Sequence, residues 1–133
     1  MVGEIETMLL AVNGTLMRNL ELNRHMLDAG AVFIAEDTTA PQYRMWSIQD
    51  AYPGMTYSET EGACIAVELW DLSAGGILQI LSGEPEGLCL GKLKLSDGRV
   101  ILGILAESRI LTGCKDITRF GGWRNYIRSK LED

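Results

Sequence analysis

The stretch Lys92-Leu93-Lys94-Leu95-Ser96-Asp97-Gly98-Arg99, continued by Val100-Ile101-Leu102-Gly103-Ile104-Leu105-Ala106, sets two strand-forming runs around an Asp-Gly pair. Asp-Gly tolerates the positive φ of a tight turn, so the two runs are expected to pair as an antiparallel hairpin. Alternation places Leu93 and Leu95 on one face and Lys92 and Lys94 on the wetter one. The expected register sets Leu95 across from Val100 and Leu93 across from Leu102.

The rest of the chain reads outward from this hairpin. Residues 7–12 form a short apolar run that ends at the turn residues Asn13-Gly14-Thr15, the pattern of a buried strand. A weak helical period over 21–29 stops at Gly30, a good left-handed terminator. Residues 31–36 and 43–48 suit strands, with Thr39-Ala40-Pro41 between them. Residues 49–62 are mainly polar or small and contain Pro53-Gly54, which predicts a long loop, a candidate lid. A strand is expected over 63–72, followed by a helix capped by Ser73 and running to Leu81. Trp123, Tyr126, Ile127 and Leu131 recur at helical spacing, so a closing helix should bury that face, with Arg124, Arg128 and Lys130 toward its negative end. About six strands with three helices and hairpin-like connections predict an α+β fold, a small, mostly antiparallel β-barrel with the helices outside.

With 133 residues and no repeat or linker, the chain is expected to be a single domain over 1–133. Eighteen acidic against twelve basic residues give a net charge of −6, which repels phosphate backbones and anionic lipid, so nucleic acid and membrane surfaces are not the expected partners. No apolar run approaches the roughly 20 residues that span a bilayer. The acidic opening lacks the cationic start of a secretory signal. Cys64, Cys89 and Cys114 are odd in number and widely spaced, which argues against a disulfide framework or a zinc site. A reducing cytoplasm, with no metal and no cofactor, is the expected setting.

Four segments point to a family. Asp116-Ile117-Thr118-Arg119-Phe120-Gly121-Gly122-Trp123-Arg124-Asn125-Tyr126 resembles a signature of the allophanate hydrolase C-terminal domain. Thr39-Ala40-Pro41-Gln42-Tyr43-Arg44, Val67-Glu68-Leu69-Trp70 and Leu22-Asn23 resemble its other segments, in the same order, from about residue 9 to 127. The resemblance implies the wider gamma-glutamylcyclotransferase-like fold. It also implies a region that, in the parent enzyme, follows an amidase domain and assists loss of carbon dioxide from the amidase product. The Ser-Ser-Lys machinery of that amidase is not expected in a chain of this length. The family commonly carries His where this chain has Leu16 and Arg24; His25 stands one residue, about 100° of helix, from the second of these and receives no catalytic role.

The resemblance also selects site residues. Asn13-Gly14-Thr15-Leu16 looks like the cyclotransferase loop whose backbone N–H groups hold a substrate carboxylate; it is equally readable as a plain turn. Glu84-Pro85-Glu86-Gly87 looks like the segment carrying the cyclotransferase acid/base, with Glu86 at the matching place. Glu68 is the second candidate carboxylate, on a strand face shared with Cys64, Ala66 and Trp70. Tyr43, Arg44 and Arg124 lie inside the family segments, the arginines suited either to gripping a carboxylate bidentately or to structural pairing. The expected function is to bind or transform a small carboxylate-bearing amide, urea-like or γ-glutamyl-like compound, as a lyase if it is an enzyme. The alternatives are a non-catalytic partner or stabilising subunit of an amidase-family enzyme, or a homodimer.

Overall fold

A computed structural model describes residues 6–132 and shows an α+β architecture of two sheets and three α-helices; the acidic opening of the sequence lies largely outside the described residues. In chain order the elements are β1 (Thr7–Val12), α1 (Asn23–Asp28), β2 (Val32–Thr38), β3 (Tyr43–Ile48), β4 (Tyr52–Tyr57), β5 (Ala66–Ser73), α2 (Ala74–Gly83), β6 (Leu88–Lys94), β7 (Val100–Ala106), β8 (Lys115–Asp116) and α3 (Trp123–Leu131). Short 3₁₀ turns occupy Ser108–Leu111 and Thr118–Phe120.

The larger sheet has the order β2-β5-β1-β7-β6, with β1 antiparallel to β5 and parallel to β7. The smaller has the order β4-β3-β8 and is wholly antiparallel. The sheets do not close into the expected barrel, because each keeps two edge strands. The single bridge Thr39–Leu95 links the continuations of β2 and β6, the two edges of the larger sheet, and Tyr43 of β3 bridges Ala63 ahead of β5. Pro41, without an N–H, stands at the corner between β2 and β3, where a continuous ladder needs one. Leu10, Met45, Met55, Leu69, Leu93 and Ile117 pack with Met26 of α1 and Ile77 and Ile80 of α2 into the main core.

The hairpin that anchored the fold reading is present with a shifted register. Leu93 faces Ile101 and Lys94 faces Val100. Leu95 N–H donates to the Arg99 carbonyl at 2.8 Å, so Ser96, Asp97 and Gly98 form a three-residue loop, with Gly98 at φ 92°. Leu93 and Leu95 are buried, and Lys92 and Lys94 are exposed, as the alternation requires. The expected lid is also corrected: much of residues 49–62 is β4, paired with β3 from Tyr43–Tyr57 to Ile48–Tyr52. Pro53 is tolerated there because β4 is an edge strand. On α3 the buried side chains are Trp123 and Tyr126, whereas Leu131 is 81% exposed, one turn past the body that the helix covers.

Candidate functional site

Gly121 and Gly122 determine how α3 reaches the larger sheet. Gly121 adopts φ 71° after the 3₁₀ turn, and its carbonyl accepts the Ala66 N–H at 2.8 Å. A Cβ on Gly122 would stand 3.1 Å from the Ala66 Cβ, so the bare backbone lets α3 begin directly over β5. Trp123 then enters the core, and Arg124 is aimed back at Glu68.

Between β2, β5 and α3 this leaves a groove of about 400 Å³, the size of a small-metabolite site. Glu68, 2% exposed, lies at its base. Its Oε1 accepts the Arg18 N–H at 2.9 Å and the Trp70 indole N–H at 3.2 Å; its Oε2 accepts Arg124 Nη2 at 2.9 Å and Arg18 Nε at 3.2 Å. Burial by itself pushes this carboxyl up. The hydrogen bonds from the Arg18 N–H, Arg124, Trp70 and the Arg18 side chain outweigh it and hold Glu68 below the ordinary carboxylate range. Glu68 is therefore a saturated, permanently ionised anion near neutrality, and no lone pair is left poised to move a proton.

Arg18 completes the constellation. Its guanidinium lies 3.7 Å over the Phe33 ring and 2.7 Å from Glu36, and its carbonyl accepts Arg124 Nη2 at 2.6 Å. One wall of the groove is thus cationic, with Arg124 and, one turn on, Arg128, which makes no ion pair among the described residues. The facing wall is acidic, with Glu36 and Asp37 of β2.

The structure brings Glu68 and Arg124 together and separates them from the other expected site residues. Asn13, Gly14, Thr15 and Leu16 line a different cavity of about 20 Å³. There the Asn13 amide donates to the Ile104 carbonyl at 2.9 Å, and the Leu16 carbonyl accepts the Asn23 amide at 2.9 Å. A Cβ on Gly14 would lie 2.6 Å from Pro53 Cδ, so this glycine makes room for Pro53 and not for a ligand. Glu86 is not brought to the turn; its side chain is 89% exposed, 3.4 Å from Arg109. Glu84 takes that place in the cavity, and burial pushes its carboxyl up to about 7.

Tyr43 is buried, with its hydroxyl accepting the Lys94 N–H at 3.0 Å, and it braces the two sheets. Arg44 pairs with Asp116 and stacks 4.8 Å from the Trp46 ring, away from the groove. His25 is exposed on α1.

Arg128 was recoverable from sequence, since it follows Arg124 by four residues on the same helix face. Arg18 and Glu36 carried no local signal, because the fold alone brings 18, 36, 68 and 124 together.

Residues 8–128 match the family described as the allophanate hydrolase C-terminal domain. The chain belongs to that family. A crystal structure described as c4763, a uropathogenic E. coli-specific protein, is 48% identical with a TM-score of 0.90, covering 92% of this chain and 96% of that one. Kluyveromyces lactis allophanate hydrolase shares the fold at 24% identity and a TM-score of 0.88, over 93% of this chain and 21% of that chain. The curated urea amidolyase of Lachancea kluyveri is 26% identical over 125 residues, which is 89% of this chain and 7% of that protein. The allophanate hydrolase C-terminal domain therefore also sits within much larger enzymes, of which this chain spans a small part. The wider fold extends to a mouse AIG2-like protein at 18% identity and a TM-score of 0.59, over 75% of this chain and 76% of that one. Among the described residues no helix is long and apolar enough to cross a membrane, and no cluster of His, Cys, Asp and Glu is arranged to hold a metal ion.

Proposed function

We propose that the groove between β2, β5 and α3 binds a small compound bearing a carboxylate beside an amide, urea-like or γ-glutamyl-like group. The observation that carries this reading is the opposed polarity of the walls. Arg124 and Arg128 present guanidinium donors to a carboxylate, and Glu36 presents an acceptor to N–H groups at the other end. In this reading Glu68 is a positioning residue that fixes Arg124. Glu86, in solvent beside Arg109, takes no part. The three free cysteines fit a reducing, cytoplasmic setting.

The alternative, a non-catalytic partner of an amidase-family enzyme, is supported by the same Glu68. A carboxylate saturated with donors suits binding or structure better than proton transfer.

The test is calorimetric titration with N-carbamoylglycine and γ-glutamylglycine, against glycinamide as the probe lacking a carboxylate. Binding of at least one carboxylate probe, none of glycinamide, and a loss of about 10- to 100-fold in Arg128→Ala with an unchanged melting temperature are expected. Equal affinity in wild type and Arg128→Ala, or no binding of either carboxylate, overturns the reading.

A further inference from the structure

A second groove, of about 710 Å³, lies where the tip of the β3–β4 hairpin meets β8 and the end of α3. It falls in the size range of small-molecule sites and shares no lining residue with the arginine groove. Its one carboxylate is already satisfied: Asp50 accepts from the Ser47 hydroxyl at 2.6 Å and the Tyr126 hydroxyl at 2.6 Å, and pairs with Lys130. The ladder between β3 and β8 sets Lys115 across from Ser47, and strand alternation turns Asp116 to the other face, where it pairs with Arg44. Lys115 is left without an ion pair among the described residues, 5.3 Å from the centroid of the Tyr126 ring, and Lys130 lies 5.7 Å from the same centroid. Neutral donors line the groove as well. Gln49 is held at φ 55° with no partner for its side chain among the described residues, and Gly113, at φ 78°, has an N–H that none of them takes up.

Two ammonium groups thus gather at one ring with one carboxylate to balance them. The groove carries surplus positive charge in a chain whose net charge is −6. Like charges held close are unfavourable until an anion enters between them. The strain at Gln49, which no internal bond offsets, is of the kind that marks a ligand contact. A tetrahedral oxyanion matches this set of donors, because its oxygens accept from several directions and its double charge answers both ammonium groups. A carboxylate has two oxygens in one plane and half that charge. A polyanion would also meet the acidic remainder of the surface, whereas a small phosphate meets the groove alone.

We propose that this groove is a binding site for a phosphate group, free or carried by a small ester, held by Lys115, Lys130, the Gln49 amide and the Gly113 N–H. Asp50 is a positioning residue that keeps Lys130 at the Tyr126 ring. The site is separate from the arginine groove and does not depend on how that groove is read.

The experiment uses the full chain labelled with ¹⁵N at neutral pH and constant ionic strength, following the amide resonances of Gln49 and Gly113. Inorganic phosphate and methyl phosphate are the probes, and acetate is the carboxylate counterpart. Saturable shifts with either phosphate probe and none with acetate are expected. Tighter binding of methyl phosphate assigns the site to an ester, and tighter binding of inorganic phosphate assigns it to the free ion. Lys115→Gln should weaken binding about tenfold or more with an unchanged melting temperature, because Lys115 is exposed. Lys94→Gln, which removes the same charge from β6, should leave binding as in the wild type. The proposal fails if neither phosphate probe gives a saturable shift, if acetate is as effective, if Lys115→Gln binds like the wild type, or if Lys94→Gln weakens binding as much. Shifts confined to Arg124 and Arg128 would place the phosphate in the arginine groove and also overturn it.

Discussion

Arg124 ties Glu68 to Arg18 with one nitrogen: its Nη2 lies 2.9 Å from Glu68 Oε2 and 2.6 Å from the Arg18 carbonyl oxygen. Because the Arg18 N–H returns to Glu68 Oε1, the three residues close a ring that fastens the segment after β1 to both β5 and α3. The floor of the groove is rigid for that reason, and its remaining donors are held in fixed directions.

The ring should be asymmetric under mutation. Removing Arg124 leaves the 2%-exposed Glu68 short of a partner, whereas removing Glu68 leaves guanidinium groups that are 38% and 35% exposed and can regain water, and strands only the neutral Trp70 indole N–H and Arg18 N–H. Arg124→Ala is expected to cost about 3 kcal/mol at pH 7, and Glu68→Leu less, about 1–2 kcal/mol, the cost of the two stranded N–H groups. Glu68 is held below its ordinary 4.5, so its contribution is present above pH 4.5 and is lost as pH falls through the lower folded value. The Arg124→Ala deficit should shrink in that acid window. Urea denaturation of both variants at pH 7 and pH 3.5 decides; equal costs at pH 7 contradict the asymmetry.

Glu84 has the opposite sign. Its folded value of about 7 lies above its ordinary 4.5, so the stabilising protonated state is complete below 4.5 and its advantage is lost as pH rises through 7. Glu84→Gln, which cannot ionise, is expected to be more stable than wild type at pH 8 by up to about 3 kcal/mol, and unchanged at pH 4.5. Thermal melts across that range supply the measurement. A stability difference independent of pH would show that Glu84 is solvated.

The tip of the β3–β4 hairpin carries two non-glycine residues at positive φ, Gln49 at 55° and Asp50 at 57°. Asp50 repays the strain: its carboxylate accepts from Ser47 and Tyr126 and pairs with Lys130. Gln49 is exposed and has no such partner among the described residues. Gln49→Gly should therefore stabilise the protein by about 0.5–1 kcal/mol, whereas Asp50→Gly should destabilise it. Two variants that move the melting temperature in the same direction would refute this division of roles.

The α+β class, most strands and all three helices were legible because each rests on a local pattern: alternation in Lys92 to Leu95, the Ser73 cap with its 3.1 Å bond to the Gly76 N–H, and the Gly30 stop at φ 78°. β4 was hidden because Tyr52-Pro53-Gly54-Met55-Thr56-Tyr57 is built from turn residues, and only pairing with β3 makes it a strand. The hairpin register slipped by one because Asp-Gly permits both a two-residue and a three-residue loop. Glu68 and Arg124 were legible as family residues, but their purpose was not, since Arg18 lies 50 positions from Glu68 in the chain. Glu84 and Glu86 are two residues apart, and only the extended backbone of Glu84 at the end of α2, φ −79° and ψ 151°, turns the first toward the cavity.

Trp123 is the anchor of α3, 3% exposed and 5.7 Å from the Tyr126 ring centroid. Trp123→Ala removes a large apolar area beneath the helix that carries Arg124 and Arg128, at an expected cost of about 3–5 kcal/mol. The melting temperature should fall by about 10 °C or more. An unchanged melting curve would mean that α3 is held from elsewhere.

The last prediction separates packing from ligand approach at Gly14. If this glycine were kept for a substrate, adding a methyl group would weaken binding and leave the fold alone. The added Cβ would in fact meet Pro53 Cδ at 2.6 Å and Cγ at 2.8 Å, and a proline ring cannot rotate out of the way. Gly14→Ala is therefore expected to cost about 1–3 kcal/mol of stability through overpacking, with no ligand present. The partner identifies the cause: Pro53→Ala removes the ring atoms and opens the space that the new methyl needs. In a double-mutant cycle the pair Gly14→Ala with Pro53→Ala should recover at least about 1 kcal/mol relative to the sum of the single changes. Additive single costs would place the strain in the turn backbone and not in the contact between Gly14 and Pro53.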